Sequence, residues 1–68
     1  MRLNYNKLRL LMIENEMKGV DLVRAAELTS YAWKKISRNE PVSIEVLMKV
    51  CKVFHCDIGD LCEVILDE

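Results

Sequence analysis

The chain has 68 residues, of which 51% are hydrophobic and 31% charged, and its formal net charge is −1. This composition excludes intrinsic disorder, which requires low hydrophobicity and high net charge. The length leaves little room for an enclosed substrate cavity beside the core of a single domain. Only two glycines and one proline are present, and so few helix-breaking residues favour an all-helical fold with tight connections.

The charges are distributed unevenly along the chain. Between positions 18 and 38, five Lys or Arg residues stand against two acidic residues, whereas positions 55 to 68 contain five acidic residues and no Lys or Arg. A local positive field of this kind can attract an acidic partner although the net charge is near zero. The sequence has no signal-peptide pattern, and the apolar run "LRLLMI" is much shorter than the roughly 20 residues of a membrane-spanning helix, which predicts a cytoplasmic protein.

The first part of the chain predicts a weak strand followed by two helices. "MRLNYN" alternates apolar and polar residues, which is a weak strand signal. Apolar residues at helical spacing predict a first helix at 6–16, and Gly19 indicates the turn that follows it. A short second helix is predicted at 20–26, where Leu22, Val23 and Ala26 are expected to face the core.

The third helix is predicted to carry the only Trp of the chain on its inner face. The segment "ELTS" interrupts the second helix, and Thr29 or Ser30 is a suitable N-cap for a helix that runs to about residue 37. Trp33 and Ile36 are expected to anchor this helix to the core, since they are three residues apart. Helical geometry then places four polar residues on the outer face: Ser30, Tyr31, Lys34 and Lys35.

The last third of the chain predicts two further helices and an ambiguous tail. Ser43 is a suitable N-cap for a fourth helix. The apolar residues of this helix follow the 3.6-residue period: Ile44, Leu47, Val50, Cys51 and Phe54. Asp57 is expected to cap a short fifth helix. The ending "CEVILDE" either continues that helix or forms a strand against the N-terminus, with Leu3 and Tyr5 opposite apolar residues of the tail.

The sequence predicts a helix-turn-helix at 20–37. Two short helices are joined there by a tight break, and the second helix begins with hydroxyl residues and carries cations on its outer face. With this register, and with the closing segment "RNEPVSIEVLMKVCKVFHCDIGDLCEVI", the chain resembles the Cro/CI-type (XRE) helix-turn-helix family over nearly its whole length. The resemblance implies one domain, 1–68, with an all-α, five-helix, lambda-repressor-like fold, and a short terminal two-stranded β element is the alternative for the tail. It also implies a bacterial or phage transcriptional regulator that binds double-stranded DNA as a homodimer, with the third helix in the major groove.

The resemblance implies which residues contact DNA. By position, Ser30, Tyr31 and Lys35 match the base-reading sites of the family, and hydroxyl, aromatic and ammonium groups can each contact base edges in the major groove. Five further residues fall near its phosphate-contacting sites: Lys18, Thr29, Lys34, Arg38 and Asn39. The turn of the family commonly has Gly where this chain has Glu27, and a non-Gly residue in a left-handed turn costs on the order of 1 kcal/mol. Ser37 stands where an acidic residue is frequent.

Other kinds of site are disfavoured by the residues. Four possible metal ligands lie near the C-terminus: Cys51, His55, Cys56 and Cys62. Their spacing does not match the paired short spacings of zinc sites, and a Cys in the apolar stripe of a helix is expected to act as a small hydrophobe. There is no Gly-rich phosphate loop, and the single His has no evident nucleophile partner. We therefore expect no metal, cofactor, small-molecule ligand or enzymatic activity.

Two alternatives are open from the sequence. The apolar tail either completes the core with the N-terminal segment or forms a self-complementary dimer patch, which would suit paired half-sites about one DNA turn apart. The rival function is a protein-interaction module, such as an antitoxin or an anti-repressor partner, that keeps the fold but has lost the DNA role. Glu27, Gly19 and the net charge of −1 support this rival.

Overall fold

The computed structural model of the protein describes residues 1–66, which form four α-helices, a 3₁₀ turn and a two-stranded sheet. In chain order the elements are β1 (Arg2–Asn4), α1 (Asn6–Glu14), α2 (Gly19–Ala25), α3 (Ser30–Ser37), α4 (Ile44–Phe54), the 3₁₀ turn (Ile58–Asp60) and β2 (Glu63–Ile65). The last two acidic residues of the predicted tail, Asp67 and Glu68, lie outside the described residues. No helix within 1–66 combines the length and the hydrophobicity that crossing a bilayer requires.

The helix-turn-helix predicted from the sequence is present, with small shifts at the ends of its neighbours. α1 ends at Glu14, before the predicted limit, because Glu16 adopts a left-handed conformation with φ 53° that does not continue a right-handed helix. α2 begins at Gly19, which the sequence assigned to the turn. The start of α2 is fixed by Lys18, whose backbone N–H donates to the Asp21 carboxylate at 2.8 Å, and a carboxylate in the first turn complements the positive end of the helix.

The prediction of five helices is wrong, and the fold is mostly helical rather than all-α. Where a fifth helix was expected after Asp57, the chain makes one 3₁₀ turn and then extends. The extended segment contains β-branched Val64 and Ile65, which favour strands. Its antiparallel register with β1 is Arg2↔Ile65, Leu3↔Val64 and Asn4↔Glu63. The strand alternative for the tail is therefore confirmed, although Tyr5 lies beyond β1 and precedes α1.

One hydrophobic core joins residues of all four helices. Six side chains in it are almost completely buried: Tyr5, Leu8, Leu22, Ile36, Val50 and Leu61. Burying an aliphatic side chain of this size stabilises the fold by about 1.5–3 kcal/mol relative to leaving it exposed. The predicted core positions Leu22, Ala26 and Ile36 are confirmed, whereas Val23, predicted on the same face of α2, is only half-buried and is not part of the core. Ile44, predicted on the inner stripe of α4, is instead 60% exposed and is the first residue of that helix.

Candidate nucleic-acid interface

The turn between α2 and α3 is closed by backbone and side-chain contacts. The backbone N–H of Leu28 donates to the carbonyl of Val23 at 2.9 Å, and the Leu28 side chain packs against the core. Glu27 stands in the turn with φ 55°, so the left-handed conformation expected at this position is adopted by a non-Gly residue. Its side chain is exposed, and its backbone conformation carries a strain of about 1 kcal/mol.

α3 presents one buried face and one polar face. Ala32 and Ile36 are buried and fix the helix on the core. The residues predicted to face outward do so: Ser30, Tyr31 and Lys34 are exposed, and Lys35 is partly exposed. The Lys35 ammonium lies 5.2 Å from the centroid of the Tyr31 ring, which is a cation–π contact. This contact groups the two side chains on the same side of α3.

Trp33 is an anchor at the edge of the core rather than at its centre. Its side chain is half-buried and packs against core residues, so the predicted inward orientation is confirmed, while Ile36 lies deeper. The indole also lies against α2, since a Cβ atom built on Gly19 would stand 2.6 Å from Trp33 Cζ2. Gly19 is therefore required by the close approach of the indole, and not by a turn as the sequence suggested.

The residues predicted to contact phosphates lie around both helices of the helix-turn-helix. Thr29 caps α3, because its Oγ1 accepts the Ala32 N–H at 3.0 Å, and the hydroxyl hydrogen can still donate to an anion. Lys34 and Arg38 have exposed side chains in and just after the last turn of α3, and the exposed Lys18 precedes α2. The arrangement places two cations at one end of α3 and a third at the start of α2.

The side chain of Asn39, the remaining residue predicted to contact phosphate, is partly engaged with α1. Its Oδ1 accepts the backbone N–H of Tyr5 at 3.2 Å and an Arg9 guanidinium N–H at 3.1 Å. The residue has φ 58°, a left-handed conformation that Asn adopts more readily than most residues. The amide nitrogen is therefore the group of Asn39 that can donate to a phosphate.

Tyr5, Arg9 and Asn39 form what we call the α1–α3 clamp. The Tyr5 hydroxyl donates to the carbonyl of Glu40 at 2.7 Å, and the Arg9 guanidinium donates to the carbonyl of Ser37 at 3.3 Å. These bonds fasten the end of α3 to the start of α1. The sequence reasoning missed the clamp. The signal that was available is the spacing of Tyr5 and Arg9, which are four residues apart and so lie on one side of the helix.

Three cysteines lie half-buried in the C-terminal part of the fold: Cys51, Cys56 and Cys62. Burial raises the pKa of the Cys56 and Cys62 thiols, and the neighbouring Cys51 raises both further. A raised pKa keeps a thiol protonated at neutral pH, and the thiol is a poorer nucleophile and metal ligand than the thiolate. Within residues 1–66, no group of His, Cys, Asp and Glu side chains is arranged to hold a metal ion.

Comparison with known proteins assigns the helix-turn-helix to a family. Residues 7–67 match the family model of the Cro/C1-type HTH DNA-binding domain. The chain belongs to this family. A solved structure with the same fold is the crystal structure of transcriptional regulator VanUg, Form II, whose sequence is 36% identical to this chain. The two structures superpose with a TM-score of 0.91, and the match covers 97% of this chain and 88% of the other. No curated protein sequence matches the chain.

Membership of the Cro/C1-type family confirms the resemblance seen in the sequence and makes the surface of α2, the turn and α3 the candidate DNA interface.

Ser37, one of the departures from the family pattern, takes part in hydrogen bonds at the end of α3. At Ser37, where an acidic residue is frequent, the hydroxyl donates to the carbonyl of Trp33 at 3.0 Å. At the same end of α3, the Arg9 guanidinium donates to the Ser37 backbone carbonyl and to the Asn39 side-chain oxygen.

Proposed function

We propose that this domain binds double-stranded DNA sequence-specifically, as a bacterial or phage transcriptional regulator in the cytoplasm, with α3 in the major groove and without a cofactor. The observation that carries the proposal is the orientation of α3, whose Ala32 and Ile36 are buried while Tyr31 and Lys34 face outward. A helix-turn-helix inserts its second helix into the major groove, which is wide enough to admit it. Membership of a family of DNA-binding domains and the similarity to a transcriptional regulator support the proposal.

We assign base reading to Ser30, Tyr31 and Lys35. Ser30 is the first residue of α3, where a short hydroxyl side chain can donate to or accept from several base edges. The exposed Tyr31 ring can pack on a thymine methyl group, and the Lys35 ammonium can donate to the O6 and N7 acceptors of guanine. The contact between Lys35 and the Tyr31 ring restricts the conformations of both side chains before binding, which lowers the entropy cost of ordering them on DNA.

We assign phosphate contacts to residues that flank the base-reading positions: Lys18, Thr29, Lys34, Arg38 and Asn39. A cation that neutralises a phosphate releases a bound counterion, and this release makes binding weaken steeply as salt is added. Thr29 and Asn39 would donate neutral hydrogen bonds, which fix the register of the protein on the duplex without reading its sequence.

We also propose that the domain works as a homodimer. Val64 and Leu66, in and after β2, are exposed apolar side chains, and an open groove of about 730 Å³ lies beside β1, with Leu3 and Pro41 in its lining. A twofold pair joined here would present two copies of α3 to half-sites about one DNA turn apart. Sedimentation equilibrium with and without a selected DNA site tests this proposal, and a monomer under both conditions would contradict it.

The same groove favours the rival function, a protein-interaction module with weak or no DNA binding, such as an antitoxin or an anti-repressor partner. Apolar surface that is concave and rimmed by polar residues is typical of sites that bind other proteins. Binding in such a groove depends on apolar burial and is much less sensitive to salt than binding to phosphates. The salt dependence of complex formation therefore separates the two functions.

Selection of bound sequences from a random duplex pool, followed by titration of the best site at two salt concentrations, tests the proposed function. Lys35→Ala is expected to cost about 1–3 kcal/mol on the selected site and to relax the preference at one base pair. Arg38→Ala is expected to weaken binding to all duplexes alike and to lower the salt slope by about one unit. Lys52→Ala, which removes an exposed lysine of α4, is the charge-matched control and should leave the base preference unchanged.

Two results would count against the proposal. If no duplex is bound, or if binding is insensitive to salt, the protein-interaction function is favoured instead. If duplex binding persists but Lys35→Ala and Arg38→Ala both behave as the wild-type protein does, the DNA-binding surface is not the outer face of α3.

A further inference from the structure

We infer that Arg9, a residue of α1, is a positioning residue for DNA recognition, because it sets the orientation of α3 by binding oxygen atoms at the C-terminal end of that helix. The inference rests on the proposed function, since it requires that α3 reads DNA. Arg9 lies outside the helix-turn-helix and is not among the residues assigned to base or phosphate contacts.

The guanidinium of Arg9 joins two elements through its two terminal nitrogens. Nη1 donates to Asn6 Oδ1 at 3.0 Å within α1, which holds the side chain in place. Nη2 donates to the Ser37 carbonyl at 3.3 Å and to Asn39 Oδ1 at 3.1 Å, and it lies 3.5 Å from the Ile36 carbonyl. A planar guanidinium can make these contacts together because its N–H donors project in a fixed fork.

Arg9 binds the backbone of α3 at the C-terminal end of the helix. The last four carbonyls of an α-helix lack intrahelical N–H donors and carry the negative end of the helix dipole, so a cation there is stabilising. The Ser37 carbonyl belongs to this set. Asn39, in its left-handed conformation, places its side-chain oxygen on the same guanidinium, so Arg9 binds both the end of α3 and the connection that follows it.

Few contacts orient α3, because the helix has eight residues and so is about 12 Å long. Its inner face is held by Ala32 and Ile36, its middle lies against α2 through Trp33, and its end is held by the α1–α3 clamp. Lys35 is only two residues from Ser37, the residue whose carbonyl Arg9 binds. Recognition requires side chains held within about 0.5 Å and 10–20° of the productive geometry, so loss of Arg9 displaces Lys35 from its base.

The test compares Arg9→Met and Arg9→Lys with Arg24→Met, which removes an exposed arginine of α2. Each variant is titrated with the best selected duplex and with a scrambled duplex at two salt concentrations, at a temperature where circular dichroism shows it folded. Arg9→Met is expected to weaken binding to the selected duplex about tenfold and to the scrambled duplex less than about twofold, with the salt slope unchanged. Arg9→Lys should recover part of the loss, and Arg24→Met should leave the ratio of the two affinities unchanged.

Three results would overturn the inference. A salt slope lowered by about one unit would make Arg9 a phosphate ligand. Equal losses on the selected and scrambled duplexes would make it a source of general electrostatic attraction. Wild-type affinity in Arg9→Met would show that α3 is positioned without it. Failure of the wild-type protein to bind any duplex is a different outcome, which refutes the proposed function and this inference together.

If Arg9→Met does not fold, Asn39→Gly takes its place. Gly keeps the left-handed conformation of residue 39 at no steric cost but removes the Oδ1 acceptor that Arg9 and Tyr5 share. Loss of a phosphate contact by Asn39 would weaken binding to both duplexes equally, whereas loss of positioning lowers the ratio of the affinities for the selected and scrambled duplexes. An unchanged ratio in Asn39→Gly would overturn the inference.

Discussion

The contact between Gly19 and Trp33 connects the two helices of the interface at the scale of single residues. A Cβ atom on Gly19 would lie 2.6 Å from Cζ2 and 2.9 Å from Nε1 of the indole. α2 and α3 therefore approach each other at this point because residue 19 has no side chain. Trp33 therefore has two roles. It anchors α3, and it leaves no room for a side chain on the first residue of α2.

Gly19→Ala is expected to destabilise the fold by about 1–3 kcal/mol, the cost of adding a methyl group where the space is already filled, although Ala is the better helix former. Urea unfolding followed by Trp33 fluorescence measures the change. Gly59→Ala is the matched control, because a Cβ there meets no atom within 4 Å, and it should stay within about 0.5 kcal/mol of the wild-type protein. Equal stabilities of the two variants would contradict the close approach of the indole.

At the scale of elements, α3 and α4 begin with the same kind of cap but have different expected roles. Thr29 Oγ1 accepts the Ala32 N–H at 3.0 Å, and Ser43 Oγ accepts the Val46 N–H at 3.3 Å. The sequence predicted Ser43 as a cap and left Thr29 and Ser30 as alternatives for α3, and the structure selects Thr29. The pair therefore allows capping to be separated from DNA binding.

Thr29→Ala and Ser43→Ala are each expected to lower the free energy of unfolding by about 0.5–2 kcal/mol, because each removes the acceptor for an N–H at the start of a helix. Thermal unfolding measures this loss. Only Thr29→Ala should also weaken DNA binding, by about 0.5–1.5 kcal/mol for a lost hydrogen bond to phosphate, which a polarisation titration of a labelled duplex measures. If the two variants bind DNA with equal affinity, Thr29 caps α3 but does not contact a phosphate.

For the molecule as a whole, the buried phenol of Tyr5 couples stability to pH. Its hydroxyl donates to the Glu40 carbonyl, and burial, together with the nearby Cys62, raises the pKa of Tyr5 above its ordinary value, against a lowering contribution from the Val42 backbone. The unfolded chain loses this proton at about pH 10, while the folded chain retains it. The folded state therefore binds more protons above that pH, and stability falls as the pH rises from there towards the folded-state pKa.

We expect Tyr5→Phe to lose less stability than the wild-type protein does between pH 8 and about pH 10.5, because it has no buried phenol to ionise. At pH 8 the variant should be less stable by about 0.5–1.5 kcal/mol, since the Glu40 carbonyl loses its donor. Urea unfolding at the two pH values measures both effects. Tyr31→Phe, at an exposed position, is the control and should show the wild-type decrease. A decrease in Tyr5→Phe as large as that of the wild-type protein would contradict the argument.

The helix-turn-helix and the outward face of α3 could be predicted because their signals are local. Helical spacing identified Leu22, Ala26 and Ile36 as inward positions, and the outward residues followed from that register. The same reasoning was wrong after Asp57, where the local pattern suggested a helix. There the chain is held instead by pairing with β1, which joins Asn4 to Glu63 across almost the whole chain.

The sequence by itself determined the order of the first four helices, the cap of α4 and the family, because helical periodicity and capping act between residues within one or two turns. Only the tertiary structure decided the two-stranded sheet, the approach of Trp33 to Gly19 and the binding of the α3 end by Arg9. These contacts join residues far apart in the chain. Their energies depend on how whole elements pack, which no local pattern records.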